Sequence, residues 1–92
     1  MGRMSTSNPY RPVVELFGGP SKLARDVDEP APKVSKWPIR GIPGKYWGKV
    51  ARAAKTRAEI ERLQGNQKRA GQFEAVTVEH LSALAEVAAQ HA

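Results

Sequence analysis

Eight basic side chains lie between Pro30 and Ala58: Lys33, Lys36, Arg40, Lys45, Lys49, Arg52, Lys55 and Arg57. That span holds no Asp or Glu. Ammonium and guanidinium groups at this density bind phosphate oxygens and release the counterions condensed on a nucleic acid. Acidic residues flank the block, with Asp26, Asp28 and Glu29 before it and Glu59 and Glu61 after it. Charges of one sign repel each other, so compensation from outside the fold is expected. The plainer alternative is a solvated basic face that aids solubility.

Other chemistries find less support. Cysteine is absent, which removes disulfides, thiol catalysis and Cys-based zinc sites. The two histidines, His80 and His91, have no partner at metal-ligand spacing, and His80 reads as an exposed or capping residue. Ser21 and Ser35 have no nearby His to activate them, and the Glu residues do not pair into an acid/base site. Gly18-Gly19 lacks the remainder of a phosphate-loop pattern and reads as a helix stop. No enzyme activity, metal or cofactor is expected. Trp37, Tyr46 and Trp47 are candidates for a base-stacking platform on single strands. Trp37 and Trp47 also fit core positions, which is the preferred reading.

The elements that must carry these side chains read as helices. Residues 1–11 are polar and are expected to be a flexible arm, with Arg3 and Arg11 able to enter a groove. Pro12 opens a short helix over Val13, Val14, Leu16 and Phe17, and Gly18-Gly19 ends it. A second helix starts at Pro20 and Ser21, with Leu23, Ala24 and Val27 on one face. Asp28-Glu29-Pro30 interrupts it, because Pro30 disfavours helical geometry at Glu29. A third helix is expected from Ala31 to Trp37, with Val34 and Trp37 pointing inward and Pro38 limiting its length. Arg40 to Gly44 reads as a loop. The longest helix runs from Lys45 to about Gln64, with an apolar stripe of Trp47, Val50, Ala51, Ala54 and Ala58. Residues 65–76 read as a linker or mobile loop, although Phe73 to Val78 admits one short strand. Thr77 caps a last helix, and residues 77–92 form its segment.

These elements make an all-α chain of about five short helices: a helix-turn-helix domain over residues 12–64 and a C-terminal helix. The chain has 92 residues, room for one small domain. Its formal net charge is +6 and 40% of its residues are hydrophobic, which suits a modest core and a polyanionic partner. No apolar run reaches the length of a membrane span, and Met1 to Asn8 lacks the apolar stretch of a signal peptide. The expected compartment is the cytoplasm.

The run Phe17-Gly18-Gly19, Ser21 to Val27, then Val34-Ser35-Lys36-Trp37 resembles a helix-turn-helix of the phage Cro/repressor type. Arg40-Gly41-Ile42-Pro43 and Tyr46-Trp47 extend the likeness to Cro-like regulators of bacterial and mobile-element genomes. It covers roughly Val13 to Ala54. The resemblance implies that one helix rests on the DNA backbone while the next enters the major groove. In that arrangement Ala31, Pro32, Lys33, Ser35 and Lys36 face base edges. Lys36 and Ser35 are the best candidates, and Ala31 or Pro32 can touch a thymine methyl. Ser21, Lys22, Arg40, Lys45 and Lys49 fall to phosphates, together with the free N–H groups that open the second helix. The family reads pseudo-palindromic double-stranded DNA as a homodimer, so the resemblance implies a transcriptional repressor that occludes its operator. Val78, Leu81, Leu84 and Ala88 are the candidate dimer contact, unless that face packs back on its own domain.

The chain departs from the family pattern in the turn. Asp28 stands where Gly is usual, and Glu29 stands where an apolar residue is usual. Pro30 and Pro32 remove donors at the start of the third helix. Asp tolerates left-handed backbone geometry, so the turn can survive. The departures motivate a second reading, a protein-binding antiactivator or adaptor that keeps the fold. A third is an architectural or excisionase-like DNA binder.

Overall fold

The computed structural model describes residues 9–90, and among them the protein is all-α. Seven helices follow in order: α1 (Arg11–Leu16), α2 (Pro20–Val27), α3 (Ala31–Val34), α4 (Trp37–Arg40), α5 (Trp47–Leu63), α6 (Gln67–Glu74) and α7 (Val78–Gln90). A 3₁₀ turn at Gly44–Tyr46 leads into α5. No helix is long and apolar enough to cross a membrane among the described residues.

Three helix ends share one physical solution. After α1, Gly18 N–H donates to Glu15 O and Gly19 N–H to Val14 O, with Gly18 at φ +101°. After α5, Gly65 and Asn66 repeat the pattern onto Arg62 O and Glu61 O, with Gly65 at φ +85°. After α2, Asp28 N–H reaches Arg25 O and Glu29 N–H reaches Ala24 O. Here the left-handed residue is Asp28, at φ 59° and ψ 50°, in the position glycine fills elsewhere. Asp28 thus occupies the left-handed region that its residue type tolerates.

One core joins α1 to α7. Val14, Leu23, Val34, Val50 and Leu81 have no exposed surface, and Phe17, Val27, Trp37 and Ile42 close around them. The sequence stripe on α5 is met by Val50, Ala54 and Ala58, which are buried, while Ala51 and Trp47 are half-buried. Trp47 Nε1–H donates to Ile42 O at 2.8 Å, which satisfies the indole at the edge of the core.

Four expectations are corrected. First, the third helix does not run unbroken from Ala31 to Trp37. It stops at Val34, and a second turn of helix, α4, carries Trp37 to Arg40, so Arg40 is helical and not part of a loop. Pro38 has no N–H for Val34 O, and its ring crowds that carbonyl, so the ladder breaks between the two pieces. Second, residues 67–74 are a helix and not a linker. α6 packs on α5 through Ala70 and Phe73, and Phe73 meets Phe17 edge-on with ring centroids 5.2 Å apart. Third, no strand forms between Phe73 and Val78: Phe73 ends in α6 and Val78 begins α7. Fourth, Tyr10 and Arg11 are not part of an arm, and residues 1–8 of that expectation lie outside the described residues. Tyr10 is buried and its hydroxyl donates to Leu81 O at 3.0 Å, while Arg11 opens α1 and pairs with Glu15. Arg3 lies outside the described residues, as does His91.

At the other end, Thr77 caps α7 as expected. Its Oγ1 accepts from His80 N–H at 3.1 Å, and Glu79 sits in the first turn.

Candidate nucleic-acid interface

α2, the Asp28-Glu29-Pro30 turn and α3 form one unit. α2 and α3 pack on each other, with Leu23, Ala24, Val27 and Val34 buried in the common core. Ala24 is small enough for the two backbones to approach. Trp37, on α4, closes the other side of this unit and is 2% exposed. Burial of Trp37 removes it from any base-stacking platform. Its ring packs instead on Tyr46, 5.3 Å between centroids.

The five candidate base contacts come together. Ala31, Pro32 and Lys33 on α3 are exposed, and so are Ser35 and Lys36 in the break that follows it, around the buried Val34. They are not equally available. Lys33 Nζ donates to Glu29 Oε1 at 2.9 Å and to the Tyr46 hydroxyl at 2.9 Å, so it is drawn back onto the protein. These two bonds, Tyr46 first, raise the Lys33 pKa above its ordinary value. Ser35 Oγ donates to Pro32 O at 2.8 Å, which leaves its lone pairs outward. Lys36 has no side-chain partner among the described residues and is the least committed of the five.

The candidate phosphate contacts divide similarly. Ser21 and Lys22 are exposed on the first turn of α2, and Arg40 is exposed at the end of α4. Lys45 lies over the Tyr46 ring, 5.3 Å from its centroid. Lys49 pairs with the second oxygen of Glu29. The hydrogen bonds from Lys49, then Lys33, hold the Glu29 carboxyl below its ordinary pKa. Arg57 takes Asp26 with Nε 2.9 Å from Oδ2 and Nη2 3.4 Å from Oδ1. The expectation that the basic block is compensated only from outside the fold is therefore corrected. Asp26 and Glu29, which flank it in sequence, fold back onto three of its members.

The candidate dimer contact does not stay together. Leu81 is fully buried in the core of its own chain, and Leu84 is half-buried against that core. Val78 is exposed, and the side chain of Ala88 lies outside the described residues. The face thus packs back on its own domain at Leu81 and Leu84.

Three residues given no individual site role from the sequence stand out in the structure. Glu29 is the counter-ion of Lys33 and Lys49, and its i,i+4 spacing to Lys33 was the available signal. Ile39, on α4, is an apolar side chain that is 75% exposed. Arg52 lines a groove of about 430 Å³ between α2 and α5. No group of three or more metal-ligating side chains occurs among the described residues. No protein-family model, curated protein or solved structure matches the chain.

Proposed function

We propose that the chain is a sequence-specific double-stranded DNA-binding regulator of transcription, with a Cro-like helix-turn-helix, that represses by covering its operator. One observation carries the reading. Between Ala31 and Arg40 only Val34 and Trp37 are buried, while the polar and charged side chains face out, Lys36 and Arg40 without a side-chain partner among the described residues. A short element anchored by two apolar residues, with Lys36 and Arg40 outward, can be offered to a major groove. The left-handed Asp28 supports the same reading, because it lets the turn close without glycine. In this proposal two copies span a pseudo-palindrome. Leu81, committed to the core of each copy, is not part of the contact between them.

The test is Lys36→Ala in competition binding between a duplex selected from a random pool and its scrambled counterpart. The proposal expects discrimination at one base pair to fall by about 1–3 kcal/mol. Unchanged discrimination, with affinity equally weakened on both duplexes, would reduce Lys36 to a phosphate contact and contradict the assignment.

A protein-binding adaptor has one observation in its favour. Ile39 places an exposed apolar side chain on α4, and Lys33 is already engaged by Glu29. On that reading Lys36→Glu leaves function intact and a polar residue at Ile39 abolishes it.

A further inference from the structure

The groove between α2 and α5 lies outside the face assigned to base contacts, and its chemistry is distinct. Lys49, Arg52 and Arg57 line it with a single carboxylate, Asp26, and Val27 and Ile60 supply apolar wall. Two of the cations are held in place. Lys49 is fixed at one end by Glu29, and Arg57 by the two bonds it donates to Asp26. Arg52 stands between them on α5, exposed and with no side-chain partner among the described residues. The groove is also continuous with the α3 face, because Lys49 shares the Glu29 carboxylate with Lys33.

We infer that this groove seats the sugar-phosphate backbone of a nucleic acid, with Arg52 as the phosphate ligand and the Val27–Ile60 wall against the sugar. A guanidinium presents a planar fork of donors that fits two phosphate oxygens. With Lys49 and Arg57 each held in an ion pair, Arg52 is the uncompensated charge of the lining, which favours an anionic phosphodiester. The apolar wall of Val27 and Ile60 offers van der Waals contact to the sugar carbons. The inference rests on the nucleic-acid reading above and extends it: the backbone leaves the α3 face at Lys33 and continues past Lys49 along α5.

The experiment is a salt titration of binding by the intact protein, on a selected duplex and on its scrambled counterpart, for wild type, Arg52→Ala and Lys68→Ala. Lys68 is an exposed cation on α6 outside the groove, so its loss reports the effect of net charge alone. The inference expects Arg52→Ala to lower the slope of log K against log salt by about 0.9, to weaken both duplexes equally, and to exceed the effect of Lys68→Ala. An unchanged slope in Arg52→Ala, or an equal change in Lys68→Ala, overturns the groove and leaves the α3 assignment standing. Equal affinity for both duplexes with a lowered slope in Arg52→Ala supports the groove and overturns sequence-specific regulation. No binding of wild type to either duplex at low salt overturns both.

Discussion

Glu29 and Lys49, twenty residues apart, form an ion pair that ties the turn after α2 to the long helix α5. Lys33 completes the arrangement on the other carboxylate oxygen, so one acidic side chain orders cations from two helices. The carboxylate therefore sets how much positive charge the candidate DNA face presents.

Replacing Glu29 by Gln should change both stability and binding. The Glu29 carboxyl is held below its ordinary pKa in the fold, by Lys49 and then Lys33. Its contribution is therefore present above the unfolded pKa and is lost as pH falls through the folded value. Thermal melts across the acid range should show a shallower loss of stability in Glu29→Gln than in wild type. The variant should also bind duplex DNA with a steeper salt dependence, by up to about 1.8 in slope for two released lysines. Parallel acid limbs in the two proteins would remove Glu29 from this role.

The fate of α7 gives a second prediction. Leu81 is fully buried, with the Tyr10 hydroxyl on its carbonyl. Leu81→Ala should cost about 2–5 kcal/mol in urea denaturation, through lost burial and a residual cavity. Val87→Ala, at an exposed position of the same helix, should stay within about 0.5 kcal/mol. A small effect at Leu81 that depends on protein concentration would place that residue between copies instead.

The break at Pro38 is a third. Pro38→Ala restores an N–H for Val34 O and should join α3 to α4 in one helix. Helical circular dichroism should rise, and the backbone amide gained at this position should be protected from hydrogen exchange. Ile39 and Arg40 would turn about the helix axis, so the preferred duplex should change. An unprotected amide would show that the break has another cause.

Asp28 offers a fourth. Asp28→Gly should be neutral or stabilise by up to about 1 kcal/mol, because glycine accepts the left-handed conformation freely. Asp28→Val should cost about 1–2 kcal/mol. Chemical denaturation of the two variants reads the difference directly.

What was legible in the sequence follows from signal strength. Leu23, Ala24 and Val27 between a Gly-Gly stop and a proline define α2, and the alanine-rich stripe defines α5, because repeated apolar spacing outweighs local noise. α6 was missed because it carries only Ala70 and Phe73 as apolar anchors, with Gly71 inside a helix that glycine disfavours by about 1 kcal/mol. Tertiary packing decides it: Phe73 against Phe17 and Arg69 on Leu16 O, 53 residues away. The site shows the same division. Exposure of Ala31, Pro32, Lys33, Ser35 and Lys36 around a buried Val34 and Trp37 follows from the apolar spacing. Which cations remain free depends on Asp26 and Glu29 folding back across the structure. The pairs to Lys49 and Arg57 span separations that local spacing does not encode.

The central claim is specific recognition of double-stranded DNA by the Ala31–Arg40 face. Its most direct test is binding of the wild-type protein to the duplex upstream of its own gene and to a scrambled duplex, titrated across salt. The account predicts a preference of about 10³-fold or more for the first, with a protected palindrome. Equal affinity for the two duplexes, lost together as salt rises, would contradict it.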